Sequence, residues 1–520
     1  MKYYRYLFLK YLCCIFTLLF FFNHCAKKSR PEETFIARIG DKSISKQEFI
    51  KRAEYTIRPP YCRSDNYVHR KIVLNSIIAE KLFALEAGEN NELTQNAEFQ
   101  TYLRGRKEQA MREWFYYQDI YSQVKPDANE IKQYYRFAGR TYKVRYLGFN
   151  DSTTARKVHR ELIEQKKSFQ SLAGELGDSL QIPEQEIRYD QPENDALHLA
   201  LFSDSLRIGQ VLGPLEMDKD FYMLVEIKGW NDEVAITDQQ MQQRWNTVSD
   251  KIKDIKAAAL SIEYVKDLMR GKKVIFERDT FVKLVNIIGP EYFKSEQEKQ
   301  QAFNKKLWNK DSDEMILDDL GNQMDQILDR PLLTLDGETW RVADLQEAIQ
   351  AHPLVFRKRK MVSREFAEQF KLAIVDLIRD QYITREAYNK GYDQEPSVQR
   401  NLNMWRDNLL ALYQRDQYLK KIQAERKDPL NVIEKYLDPY AQELFKKYNN
   451  EIEISTDEFE KLKLTSIDMF VVQRNVPFPV AVPSFPQFTT YDKLDYGRRM
   501  ELKKGTGAQS LPTGGRALRH

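Results

Sequence analysis

From Phe35 onward the chain alternates short period-two apolar runs with long runs of period 3.6, so strands and amphipathic helices take turns. Phe35-Ile-Ala-Arg-Ile-Gly-Asp-Lys-Ser-Ile-Ser45 predicts two short strands around a Gly-Asp turn. Ser45-Lys-Gln-Glu48 has capping-box spacing and opens a helix. Tyr67 to Glu89 is an amphipathic helix with Leu74, Ile77, Ile78, Leu82 and Leu85 on one side. A second long helix, from about Asn96 to Val124, carries Phe99, Leu103, Met111, Trp114 and Phe115. Pro126 ends it, and Asp127 caps a shorter helix over Ala128 to Phe137. Tyr142 to Phe149 then alternates as a strand, Thr154 to about Gln165 as a helix, and Phe169 to Leu176 as a short helical turn. Leu206-Arg-Ile-Gly-Gln-Val-Leu-Gly-Pro-Leu215 leads to a strand from Asp220 to Ile227.

Thr237 to Arg270 reads as one helix, with Thr237 and Gln240 at capping-box spacing. Met241, Trp245, Val248, Ile252, Ile255, Ala259 and Ile262 form its apolar side. A short strand at 273–277 and helices at 279–288 and 295–307 follow. The pattern then repeats. Arg330 to Glu347 has the order of Phe35 to Glu48: strand, Asp-Gly turn, strand, helix. Ile374, Leu377, Ile378 and Tyr382 fall where Leu74, Ile77, Ile78 and Leu82 fell. Val398, Leu402, Leu409, Leu410 and Tyr413 echo Phe99, Leu103, Ala110, Met111 and Trp114. Leu437 to Tyr448 corresponds to the short helix after Asp127, and a strand is expected from Leu462 to Val472. The Pro- and Phe-rich residues from 473 to 520 are expected to be disordered.

Composition narrows the function more than the fold. At 520 residues, 42% of them hydrophobic, the chain supports several cores. A net charge of +4 with 30% charged residues lacks the clustered basic surface of a nucleic-acid binder. The six histidines have no metal-ligand spacing, and no phosphate loop or Ser-His-Asp set is present, so neither a metal nor a cofactor is expected. The four cysteines are Cys13, Cys14, Cys25 and Cys62; three lie in the first 25 residues, which leaves no disulfide framework. Lys2, Arg5 and Lys10 precede an apolar run from Tyr11 to Phe22, the layout of a signal-peptide core. Three outcomes stay open there: lipidation at Cys25, an uncleaved anchor, or ordinary cleavage. Each places the bulk of the chain outside the cytoplasm.

The stretch from Tyr142 to Trp230, and above all Gly209-Gln-Val-Leu-Gly213-Pro214 with the strand after it, resembles the parvulin-type peptidyl-prolyl isomerase domain of SurA-like and PrsA-like extracytoplasmic foldases. The strand-helix-helix order before it is similar to their N-terminal chaperone module. The resemblance implies an α+β, mostly α-helical fold: helical chaperone modules around one small parvulin-like α/β domain with an antiparallel sheet. It divides the chain into a signal over 1–25, a linker over 26–34, a first module over 35–140 and the parvulin-like domain over 141–232. A connector over 233–328, a second module over 329–472 and a tail over 473–520 follow. The helix from Thr237 is expected to return and complete the first module.

Active parvulins grip proline in an apolar pocket and stabilise the twisted amide with a polar cluster that usually includes two histidines from adjacent strands. The resemblance places those positions at Tyr146 and Tyr222, and the Gly-Gly-Asp-Leu-Gly segment has no counterpart in 181–189. Two tyrosines are expected to keep a hydrogen-bonded contact between the strands while the imidazoles are lost. Leu197, Phe202, Met217 and Tyr222 are the candidate pocket wall. His159, on a charged helix face, and His198, without a paired acid or nucleophile, carry no catalytic reading. The implied function is an extracytoplasmic folding chaperone for unfolded or nascent secreted and outer-membrane polypeptides, tethered to the membrane by its signal or lipid. The alternatives are a working prolyl isomerase and a scaffold lipoprotein with one fixed partner.

Overall fold

The structure, a computed structural model, describes residues 34–164, 167–169, 171–172, 182–191, 194–218, 221–293, 321–358, 361–426, 428–464, 477–478 and 480–500. Cys25 and the signal segment, the helix expected at 295–307 and most of the strand expected at 462–472 lie outside the described residues.

The fold is α+β and mostly helical, with small, largely antiparallel sheets. In chain order come β1 (Phe35–Ile39), β2 (Lys42–Ser45), α1 (Lys46–Glu54), α2 (Tyr67–Ala87), α3 (Ala97–Phe115) and α4 (Ala128–Tyr135). β3 (Arg140–Phe149), α5 (Ser152–Glu164), β4 (Glu184–Arg188), α6 (Asp195–Phe202), β5 (Val211–Asp218) and β6 (Phe221–Asp232) follow. Next are α7 (Asp238–Leu268), β7 (Val274–Phe276), α8 (Arg278–Tyr292), β8 (Pro331–Leu335), β9 (Glu338–Arg341) and α9 (Val342–Ala351). The chain ends with α10 (Phe366–Asn389), α11 (Pro396–Lys421), α12 (Asp438–Lys447), β10 (Ile452–Ile454) and β11 (Arg498–Arg499). The order strand, turn, strand, helix, long helix, long helix thus occurs twice, at β1 to α3 and at β8 to α11.

The chain divides into two compact units at other boundaries than 140 and 329: one takes residues 1–86, 414–469 and 484–520, the other 87–413 and 470–483. In the first unit, β1 pairs with β2 and with β10, and β11 adds in parallel to β10, giving the order β11-β10-β1-β2. The first hairpin is therefore completed by the C-terminal end of the chain, while the helix from Thr237 returns to the second long helix of the expected module, at Met111 and Phe115. The Ser45 hydroxyl accepts from the Glu48 amide at 3.1 Å, as capping requires. The Glu48 carboxylate pairs with Lys81 at 2.9 Å.

Leu74, Ile77, Ile78 and Leu82 are buried as the amphipathic pattern predicts, but the polar residues Asn75, Ser76, Glu80 and Lys81 of α2 are buried too. The segment from Ser484 to Met500 covers Asn75 and Ser76. The expectation of a disordered tail is corrected over these residues. Phe485, Phe488 and Met500 are buried, and the Phe488 ring lies 4.9 Å from that of Phe83. Each such ring contributes about 1.5–3 kcal/mol of apolar burial. Apart from β11 the segment has no helix or ladder bonds, and buried side chains of the unit supply polar partners instead. Arg52 makes a bidentate pair with Glu80 at 2.7 and 2.8 Å and also donates to the Ser484 carbonyl at 2.9 Å.

In the second unit, α3 starts at Asn96, whose side chain accepts from the amides of Glu98 and Phe99, and the helical path runs on to Gln123. Gly105 lets α3 meet α9, since a Cβ there would sit 1.7 Å from the Ala351 carbonyl oxygen. β7, β8 and β9 form a three-stranded sheet. Leu332, Leu345, Phe370, Ile374 and Leu377 build the core beside it. The central sheet has the order β4-β3-β6-β5, all pairs antiparallel.

The helix α7 is capped by Thr237 and Gln240 in a complete box. At 31 residues it is about 46 Å long, and it serves two cores in turn. Trp245, Val248 and Ile252 pack on the central sheet, while Ala257, Tyr264, Val265 and Leu268 join Met111, Phe115, Ile383 and Val398. The single apolar side that sequence predicts is corrected: Met241, Ala259 and Ile262 are exposed, because the second core is met by the other side of the helix, through Ala257, Tyr264 and Leu268.

Removing the Glu80 carboxylate leaves the Arg52 guanidinium buried without its partner. Glu80→Ala is expected to cost about 3–5 kcal/mol in denaturant unfolding, and Arg52→Met with Glu80→Leu to recover most of it. A loss within about 0.5 kcal/mol would show that the pair is solvated.

Candidate functional site

The register of β3 on β6 sorts the candidate residues. Tyr146 stands opposite Val225, Gly148 opposite Met223, and Phe149 opposite Tyr222. Because side chains alternate along a strand, Tyr146, Met223 and Val225 share one face with Tyr142, Val144 and Ile227. Tyr222 lies on the other face, with Leu147, Phe149, Leu224 and the α5 residues Ala155, Val158 and Leu162. The expected contact between Tyr146 and Tyr222 is therefore corrected: the sheet separates them. The residue of β6 that accompanies Tyr146 is Met223.

The expected pocket wall divides as well. Leu197 and Phe202, on α6, are buried in the core under Tyr146's face, where Phe202 lies 5.3 Å from Tyr142 and 5.1 Å from Tyr189. They hold α6 on the sheet and line no open groove. Met217 packs at the margin of the same core, half-buried, and Tyr222 is excluded by its face. What remains accessible is a patch of Tyr146, Leu215, Met217 and Met223, all half-buried, with the exposed ring of Phe221. Gly148 makes room for that ring, because a Cβ there would lie 2.9 Å from it. Met223 and Phe221 were hidden in the sequence by the unbroken apolar run from Phe221 to Val225, which erases the parity of a strand.

His198 is the imidazole nearest in structure to this chemistry, and it is disabled for it. Its ring is fully buried between Tyr189 and Phe202, with Nε2 3.1 Å from the Tyr189 carbonyl oxygen. Burial, helped by the Lys251 charge, pushes its pKa down to about 4, so the ring is neutral through the physiological range. His159 belongs to α5, on the opposite side of the sheet, and is half-buried.

Two cavities lie elsewhere in the second unit. A polar one of about 280 Å³ gathers Arg140, Arg188 and Arg244 at the end of the sheet. Each guanidinium there is already engaged, with Asp232, Asp190 and the Glu233 carbonyl respectively. The other, about 450 Å³, lies among α3, α9 and α10. Beside it Arg112 donates to the Thr384 hydroxyl at 2.7 Å, and His352 meets Asp380 at 3.1 Å. Burial raises the Asp380 carboxyl, but His352, Arg379 and Arg112 outweigh it and hold it below the usual carboxylate range. Neither cavity presents a nucleophile beside a base. Among the described residues no cluster of His, Cys, Asp and Glu is placed to hold a metal ion, and no helix is long and apolar enough to cross a membrane.

No protein-family model matches the chain, and no curated protein matches it. The chemistry of the site has to be argued from its own residues. Cys62, the one cysteine among the described residues, is buried with its thiol pushed up to about 12 by that burial, which makes it an unreactive packing residue.

The lowered pKa of His198 has a consequence for folding. Unfolded, the ring takes a proton near 6.5; folded, it does so only near 4, so acidification through that window favours the unfolded chain. The wild type is expected to lose up to roughly 3 kcal/mol between those limits, and His198→Phe to lose correspondingly less. Denaturant titrations at several pH values test this; identical pH profiles would contradict it.

Proposed function

We propose that this protein is an extracytoplasmic folding chaperone of the SurA/PrsA type, in which the parvulin-like domain binds polypeptide and does not isomerise it. The observation that carries the reading is the make-up of Tyr146's face. β3 and β6, the strands to which the resemblance assigns two histidines, are neighbours. At the convergent positions they offer a phenol and a thioether. The only imidazole of that core among the described residues is His198, buried, neutral and tied to a carbonyl.

A twisted prolyl amide needs polar groups aimed at its oxygen or nitrogen to lower a barrier of about 18–20 kcal/mol. An apolar patch of Tyr146, Leu215, Met217, Phe221 and Met223 gives no such charge. It does give adaptable contact area, since methionine and aromatic side chains fit many partners. Extended, aromatic-containing segments of translocated polypeptides are the chemistry this patch suits. Weak, exchangeable binding without nucleotide is its mode. The tether at the signal or at Cys25, and the residence outside the cytoplasm, belong to the same proposal.

Two assays test it. In a protease-coupled assay on a prolyl peptide, the protein is expected to leave the uncatalysed rate unchanged within about twofold, given how little transition-state charge the face can meet. Suppression of aggregation of an unfolded outer-membrane polypeptide is expected at near-stoichiometric ratio. Met223→Asp should weaken it by about tenfold in apparent affinity, or about 1.4 kcal/mol. Catalysed turnover that disappears in Tyr146→Phe would establish the isomerase instead. Absence of any aggregation suppression would favour a scaffold with a fixed partner.

A further inference from the structure

We infer that the first unit contains a groove for extended polypeptide, and that residues 484–500 of the chain itself occupy it as a displaceable internal ligand. The groove floor is the polar side of α2 with Arg52 and Asp438. The strap lying in it has no helix and almost no ladder pairing of its own.

Its main chain is held by side chains. Arg52 donates to the Ser484 carbonyl at 2.9 Å, and Ser76 to that of Thr489 at 3.3 Å. The Asn75 amide donates to both Tyr491 and Lys493 carbonyls, at 2.7 and 2.9 Å. In the other direction the Thr490 amide donates to Asp438 at 2.8 Å, and the Gly497 amide to the Asn449 side chain at 2.7 Å. Such contacts read backbone groups that every residue but proline offers, so they tolerate many sequences. Arg52, Asn75 and Ser76 are fully buried, so the site is built and not a chance surface contact.

Specificity for side chains comes from two aromatic seats. Phe488 enters beside Phe83, and Tyr496 stacks on Phe445 at 4.1 Å with its hydroxyl donating to Asn75 at 2.6 Å. The strap then leaves by adding β11 to the edge of β10 in parallel, with the Met500 amide donating to the Ile454 carbonyl at 2.9 Å. Backbone capture, aromatic pockets and strand addition together are the means by which domains bind extended peptides from other chains. Only the identity of what displaces the strap, an extended aromatic-containing polypeptide, rests on the chaperone reading.

The test uses the full chain and a fluorescein-labelled synthetic peptide of residues 484–500. A full-length variant with Phe485→Ser and Phe488→Ser has a weakened strap and an intact groove. It is expected to bind the peptide at least about tenfold more tightly than the wild type, whose own strap competes as a tethered ligand. A peptide of reordered sequence that keeps the aromatic spacing should compete within about fivefold, because most contacts are to main chain. A folded variant that binds no more tightly than the wild type would overturn the inference and make the strap a fixed part of the fold. Should the variant not fold, hydrogen exchange on the wild type decides. The bonded amides of Thr490, Gly497 and Met500 are expected to exchange at least about 100-fold faster than those between β1 and β10. Equal protection means that the strap leaves only on global unfolding, which refutes displacement. Loss of aggregation suppression with strap exchange intact would remove the chaperone reading and leave this site standing.

Discussion

A carboxylate on the inner side of a long apolar helix is the constraint around which the first unit is organised. Glu80 is fully buried on α2, and a charge in that position survives only with a cation and satisfied neighbours. Arg52 supplies the cation from α1, 28 residues earlier, and its Nη2, already donating to Glu80, also reaches the Ser484 carbonyl. One guanidinium thus joins α1 and α2 to the segment that starts at Ser484. Residues 484–500 meet side chains of α1 and α2 that lie more than 400 positions earlier in the chain. Asn75 and Ser76 extend the same logic along the helix, each matched to carbonyls of the strap.

In the second unit the governing fact is the parity of a β-strand. Two positions in neighbouring strands act together only if they project from the same face, and one residue of offset is enough to separate them. Tyr146 shares its side with Met223; Tyr222 is turned into the other core. The result is an apolar patch above a core in which the one imidazole among the described residues, His198, is neutral. On the proposed reading, binding and catalysis are separated by chemistry at a handful of positions on one sheet.

Much of this was legible in the chain. Period and caps foretold both hairpins, α1 to α4, α7 and the second set of helices, because those signals are local: Ser45, Asp127 and Thr237 each cap as their spacing implies. The boundaries of the units were not legible. They depend on pairing β10 with β1 across more than 400 residues, which no local pattern encodes. The strap was misread for a related reason. The segment shows almost no local period, yet Phe485, Phe488 and Tyr496 find seats that exist only in the folded unit. At the candidate site, the apolar run through Phe221 to Val225 removed the alternation that would have selected Met223 over Tyr222.

The central claim is that Tyr146's face is a polypeptide-binding surface. Its most direct test is site-specific photocrosslinking to an unfolded outer-membrane polypeptide from two adjacent positions of β6. A benzophenone side chain in place of Met223 is predicted to give covalent adducts, and the same group in place of Tyr222, on the opposite face, to give none. Adducts from position 222 with none from 223, or none from either in a folded protein, would contradict the account.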